Sequence, residues 1–186
     1  MSSDRESCMI ETMIRYLETV LEQPHPVFGG LPICPFSKKA RLQNKIFYQV
    51  LTLRLEQLHV DSQLRRAIAS FHASRQHDVL LVISPDEQAL SVAQMQPFIE
   101  QLNQILAPLE LTAFGGHPQD TFNVQGVYTR QEPFINLTVQ SLAVLQAASK
   151  PLARTAYYQH WSAENLQQIG FHDRNASALQ SSAEKF

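Results

Sequence analysis

The segment Asp78-Val79-Leu80-Leu81-Val82-Ile83-Ser84 sets an unbroken apolar run between polar flanks. A strand with one wet face alternates apolar and polar side chains; an unbroken run needs cover on both faces, as in the middle of an α/β sheet. The chain is therefore expected to build helical layers on both sides of this strand.

The neighbouring sequence supplies those layers. Met9/Ile10, Met13/Ile14, Leu17 and Val20/Leu21 recur at helical steps, with Ser3 and Glu6 as a capping box and Pro24 and Pro26 as the stop. Ile46 to Leu53 reads as a strand, and Asp61 caps a helix whose Leu64, Ile68 and Phe71 share a face. Ser84-Pro85-Asp86-Glu87 carries the signals of a helix start, and Pro97 restarts or kinks the helix that runs on through Phe98, Leu102 and Ile105/Leu106. Glu110 to Phe114 is a short strand, Ile135 to Gln140 alternates with period two, Leu142 to Ala148 is helical, and a last helix runs from Tyr157 through Ile169 to Gly170. The expected fold is a single α/β domain over residues 1–170, a mixed sheet of about four strands flanked by helices, followed by a flexible tail over 171–186. The last strand arrives by a loop, Gln119 to Glu132, which leaves its direction open.

Composition narrows the partners. Of 186 residues 17% are charged, and the formal net charge is −2, so no basic track for nucleic acid is expected. Lys38-Lys39-Ala40-Arg41, the densest basic run, reads as a solvated helix face. No stretch reaches the roughly 18 apolar residues of a membrane span. The N-terminus lacks a signal-peptide layout and the two cysteines make no disulfide framework, so the expectation is a cytoplasmic protein; a small-molecule substrate and a homo-oligomer are both compatible with the sequence, which leaves them open.

Two glycine pairs precede chemically versatile residues. Gly29-Gly30 leads through Leu31-Pro32-Ile33 to Cys34-Pro35, and Gly115-Gly116 leads directly to His117-Pro118. Clustered glycines in a glycine-poor chain mark unusual backbone or close approach, and the prolines fix the direction of exit. Cys34 allows three readings: an inert buried thiol, a nucleophile activated at a helix N-terminus if Pro35 opens a helix, or a thiolate ligand to iron. His117 can ligate haem iron, act as a general base, or be held by hydrogen bonds in a tight loop. Arg130 can hold a substrate acid or a haem propionate, or pair with Glu132 or another acid, and Tyr128 can line the same pocket. Tyr157, Tyr158 and Trp161 read as core.

Ile33-Cys34-Pro35-Phe36-Ser37-Lys38, Gly116-His117-Pro118, Tyr128-Thr129-Arg130-Gln131-Glu132-Pro133-Phe134 and Glu164-Asn165-Leu166 follow one another in an order that resembles a bacterial domain family of unknown function. That family has Phe before the His and one more residue between Thr and Arg. Cys34, His117-Pro118, Arg130, Pro133 and Asn136 are also similar to the YqcI/YcgG family, in which some members look like haem-dependent N-oxygenases; this resemblance implies haem, with His117 as its metal ligand and Arg130 on an acid group. Cys34-Pro35-Phe36-Ser37 looks, in addition, like a monothiol glutaredoxin motif.

Three functions follow: a haem- or iron-dependent oxygenase-like enzyme with a Cys34/His117/Arg130 pocket, a cofactor-free thiol enzyme with His117 as base to Cys34, and a non-catalytic binding or assembly module. The chain carries no Walker loop, GxGxxG, HExxH or nucleophile elbow.

Overall fold

The computed structural model describes residues 2–169; the tail expected over 171–186 and the Gly170 helix stop lie outside them. In chain order the helices are α1 (Ser2–Tyr16), α2 (Ser37–Leu42), α3 (Gln63–Ser74), α4 (Val92–Leu106), α5 (Leu142–Leu152) and α6 (Ala163–Gln168). The strands are β1 (Ile46–Val50), β2 (Val79–Ile83), β3 (Leu111–Gly116), the short β4 (Asn123–Val124) and β5 (Val127–Tyr128), and β6 (Asn136–Ser141).

Four strands form the mixed sheet in the order β1-β2-β6-β3. β1 and β2 are parallel, with α3 as their crossover, and β6 runs antiparallel to both β2 and β3. β6 thus inserts between two strands that share a direction. The registers align Val50 with Ile83, Ile83 with Asn136, and Asn136 with Gly116, so the C-terminal ends of β1, β2 and β3 meet the start of β6 along one edge. Ligands of α/β sheets gather beyond that edge.

The alternation within β2 explains its apolar run. Leu80 and Val82 point into a core with Leu64, Ile68 and Phe71 of α3 and Phe98, Ile99 and Leu102 of α4. Leu81 and Ile83 point to the opposite face and meet Met9 and Met13 of α1. A third cluster of Phe28, Val124, Leu152, Tyr157 and Tyr158 stands beyond that second face. The outer edge of β3 is capped by a side chain: Asn103 of α4 donates to the Ala113 carbonyl (3.1 Å) and accepts from the Ala113 N–H (2.7 Å).

Several local signals resolve differently from their sequence pattern. α1 starts at Ser2, so Ser3 is helical and makes no box with Glu6, and the helix continues as a π turn over Leu17–Leu21. Asp61 yields the cap of α3 to Ser62, whose hydroxyl accepts from the Arg65 N–H at 3.1 Å. No helix opens at Ser84: its hydroxyl is engaged by the Leu53 N–H (3.4 Å) and the Asp86 carbonyl (3.1 Å), which makes a turn. α4 begins instead behind Ser91 with a Ser91/Gln94 box, and Pro97 lies inside it. That proline removes one helical hydrogen bond, which burial of Met95, Phe98, Ile99, Leu102 and Leu106 outweighs. The helix expected from Tyr157 is interrupted, a 3₁₀ turn at Ala156–Tyr158 giving way to α6 behind a Ser162 cap. The loop Gln119 to Glu132 carries the β4–β5 hairpin, turned by Gln125 and Gly126 at φ 49° and 84°.

Gly29 has φ 64°, and a Cβ there would lie 2.7 Å from Ala156 Cβ and 3.0 Å from its carbonyl carbon. Gly30, at φ 80°, opens on free space. Gly30→Ala should cost about 1 kcal/mol for the left-handed backbone alone, and Gly29→Ala about 3 kcal/mol because backbone must also move. Urea denaturation of the two variants checks the ranking.

Candidate functional site

The sheet face opposite α3 and α4 is covered incompletely, because α1 lies over β1 and β2 while the Phe28/Tyr157 cluster stands further off. Between them is a cleft of about 790 Å³. Its floor is Val79 and Leu81 of β2, Thr138 and Gln140 of β6 and Phe114 of β3; its walls are Leu17, Leu21, the Cys34 turn, Leu145 and Ser149 of α5, Tyr157 and Trp161. The lining is mostly apolar with a few convergent polar groups, and the volume falls within the roughly 300–1,000 Å³ of sites for small organic molecules.

The polar groups collect at the strand edge. Asn136 opens β6 opposite Gly116, is buried, and donates through Nδ2 to Glu132 Oε2 at 2.7 Å and to the Phe134 carbonyl at 3.1 Å. The Glu132 carboxyl lies against Gly116: a Cβ on that glycine would come within 2.6 Å of Glu132 Oε1 and of Asn136 Nδ2. Any side chain at Gly116 would therefore displace the carboxyl group. Desolvation pushes the Glu132 pKa up to about 7, reinforced by the Asp120 charge and opposed by the Asn136 hydrogen bond and by Arg130. Burial raises the Tyr16 phenol as well, with the Glu132 charge adding to it, and the Tyr16 hydroxyl has no hydrogen-bond partner among the described residues.

Cys34 sits in the turn before α2, not at its first helical residue, because α2 begins at Ser37. The turn hangs from the π segment through the Cys34 N–H to the Leu21 carbonyl, 2.9 Å. Arg41 of α2 locks the same region, with a bidentate grip on the buried Glu22 (2.9 and 2.8 Å) and a contact to Glu18 at 2.7 Å. Arg41 thus leaves the solvated face that its basic run suggests. Burial raises the Cys34 thiol pKa, and the Glu132 charge adds to this; the N–H groups of Phe36 and Ser37 and the Ser37 side chain act the other way. The thiol rests protonated, with donors in place for a thiolate.

Arg130 lines the cleft, its guanidinium carbon 4.0 Å above the Phe122 ring. It makes no ion pair with Glu132. Desolvation lowers its pKa, while the charges of Asp120 and Glu132 oppose this.

His117 follows β3 as its sequence suggests but turns away from this chemistry. It is buried outside the cleft lining; Nδ1 accepts from the Gln119 N–H at 2.9 Å, and Nε2 lies 3.2 Å from the Leu90 carbonyl. A carbonyl only accepts, so Nε2 carries the proton and neither nitrogen is left for iron or for a thiol proton. The donor set does not fit a haem ligated by His117, and the expected Cys34–His117 dyad is absent. Tyr128 is exposed on β5 and also lies outside the cleft lining. No group of three or more His, Cys, Asp or Glu able to hold a metal occurs among the described residues, and none of the described helices is long and apolar enough to cross a membrane.

Of the residues singled out from the sequence, the cleft joins Cys34 and Arg130 and leaves out His117 and Tyr128. Glu132 takes the place expected for His117. The signal for it was faint, an acid before the proline that leads into β6. Tyr157, read as core, is core and wall together, and its hydroxyl donates to the Ile33 carbonyl beside Cys34.

The native state holds a proton on Glu132 up to about pH 7, whereas the unfolded chain releases it near 4.5. Between those values the folded form binds more protons, so this group's contribution to stability is present at low pH and is lost as pH rises through that window. Melting measured at about pH 5 and about pH 8 should show wild type losing more than Glu132→Gln, which retains an acceptor for Asn136. His117→Ala should lower stability at either pH by about 2 kcal/mol, since the Leu90 carbonyl and Gln119 N–H lose their partner.

Comparison with family profiles, with curated proteins and with solved structures finds no match for this chain in any of the three.

Proposed function

We propose that the protein is a cofactor-independent enzyme for a small, largely apolar organic substrate, with Cys34 as nucleophile and Glu132 as the proton-transferring group. The observation that carries this reading is the shared cleft: a thiol and a carboxyl group with a pKa near neutrality line one mostly apolar cavity. A carboxyl near its pKa at neutral pH both takes and gives a proton readily. A buried thiol needs such a base, because only the thiolate is strongly nucleophilic.

In acyl transfer the steps balance as follows. The Cys34 proton passes to a Glu132 oxygen as sulfur bonds to the acyl carbon. Glu132 then returns that proton to the departing oxygen or nitrogen as its bond to carbon breaks. Water hydrolyses the thioester, releasing the acid and restoring the thiol. The N–H groups of Phe36 and Ser37 support the negative charge that develops on sulfur as its proton leaves.

A non-catalytic binding module is the second reading, favoured by the upward shift of the resting thiol. p-Nitrophenyl esters from acetate to octanoate separate the two. The enzyme reading expects an acyl adduct on Cys34 by mass spectrometry and a rate that rises with pH through about 7. Glu132→Gln should lower that rate by roughly 10²–10⁴-fold, and Cys34→Ser should abolish the adduct. Turnover that persists in Cys34→Ala, or no adduct across the series, removes the nucleophile and leaves the binding module.

A further inference from the structure

We infer that the cleft's ligand carries a single carboxylate, held by the Arg130 guanidinium, with its apolar body lying over Leu81 and Phe114. This rests on the cleft being the binding site and adds the substrate class.

The argument begins with an unanswered cation. Arg130 makes no side-chain hydrogen bond and no ion pair among the described residues; its guanidinium lies over the Phe122 ring face. The two acids whose charges reach it are turned elsewhere. Asp120 Oδ1 accepts from the Phe122 N–H at 2.7 Å, and Glu132 Oε2 accepts from Asn136 at 2.7 Å. A guanidinium presents five N–H donors in a planar fork, and on a half-buried Arg130 at the cleft wall they are not taken up by any side chain among the described residues. Stacking on Phe122 holds the group in place without using any of those donors, which preorganises it for a planar bidentate acceptor.

A carboxylate matches that fork. One charge is favoured over two, because Asp120 and Glu132 stand nearby and a dianion would meet repulsion that a single guanidinium does not offset. The remainder of the ligand follows from the floor. Val79, Leu81 and Phe114 present hydrocarbon to it, while Thr138 and Gln140 bring the polar side chains of β6.

The test uses two matched pairs, octanoate with octanamide and 3-phenylpropanoate with 3-phenylpropanamide, titrated calorimetrically and scored for protection of Cys34 from iodoacetamide. Wild-type protein should bind each acid roughly tenfold or more tightly than its amide, as expected for charge-assisted hydrogen bonds. Arg130→Gln should erase that preference, and Arg130→Lys should keep part of it. Equal binding of acid and amide by wild type overturns the inference, and this comparison does not depend on any variant folding. An acid preference that survives in Arg130→Gln overturns it too. Amides that bind and protect Cys34 while acids do not would remove the carboxylate and leave the cleft standing. Four compounds that neither bind nor protect would remove both.

Discussion

Asn136 and Gly116 sit opposite each other on the β3–β6 ladder, and the polar end of the cleft depends on that pairing. The glycine leaves the space that the Glu132 carboxyl group fills, and the asparagine supplies its hydrogen bond. A slip of one residue would turn Asn136 to the other face of the sheet and set another residue against the carboxyl group. The apolar pattern guards against such a slip. Leu137 and Val139 are fully buried in the α3/α4 core, and the same shift would carry them out of it.

The thiol is placed by different means. Over Leu17–Leu21 the first helix widens into a π turn, after which Leu21 offers its carbonyl to Cys34. Single π turns within helices are uncommon and recur at functional sites. Here the turn also aligns Glu18 and Glu22 toward Arg41, so one guanidinium ties the end of the first helix to the short helix after Cys34. Breaking a largely buried pair of this kind leaves an uncompensated charge, so the clamp resists partial opening.

Sheet and helices were legible in the sequence because their signals are local and periodic. The run through Leu80 and Val82 announced a central strand, and the alternation from Ile135 announced a further strand but not its direction, which the pairing with β2 supplies. The Ser84-Pro85 signal misled because the Ser84 hydroxyl is taken up by Leu53 and Asp86, a contact across 31 residues that no short pattern contains. The site was legible only in part. Cys34 and Arg130 have chemistry conspicuous at any position, whereas Glu132 owes its raised pKa to burial, with the Asp120 charge adding to it, and only the folded register sets its carboxyl group against Gly116. His117 misled for the reverse reason. Its elbow is real, but the backbone of Leu90 and Gln119 occupies both sides of the ring.

Asn103 has a consequence for how copies of this chain meet. Its amide imitates a neighbouring strand at Ala113, occupying both the donor and the acceptor that an incoming backbone would need. An exposed strand margin invites lateral growth into continuous fibres or swapped pairs. By engaging Ala113 with one side chain, the fold blocks another molecule's backbone from pairing at that point of β3.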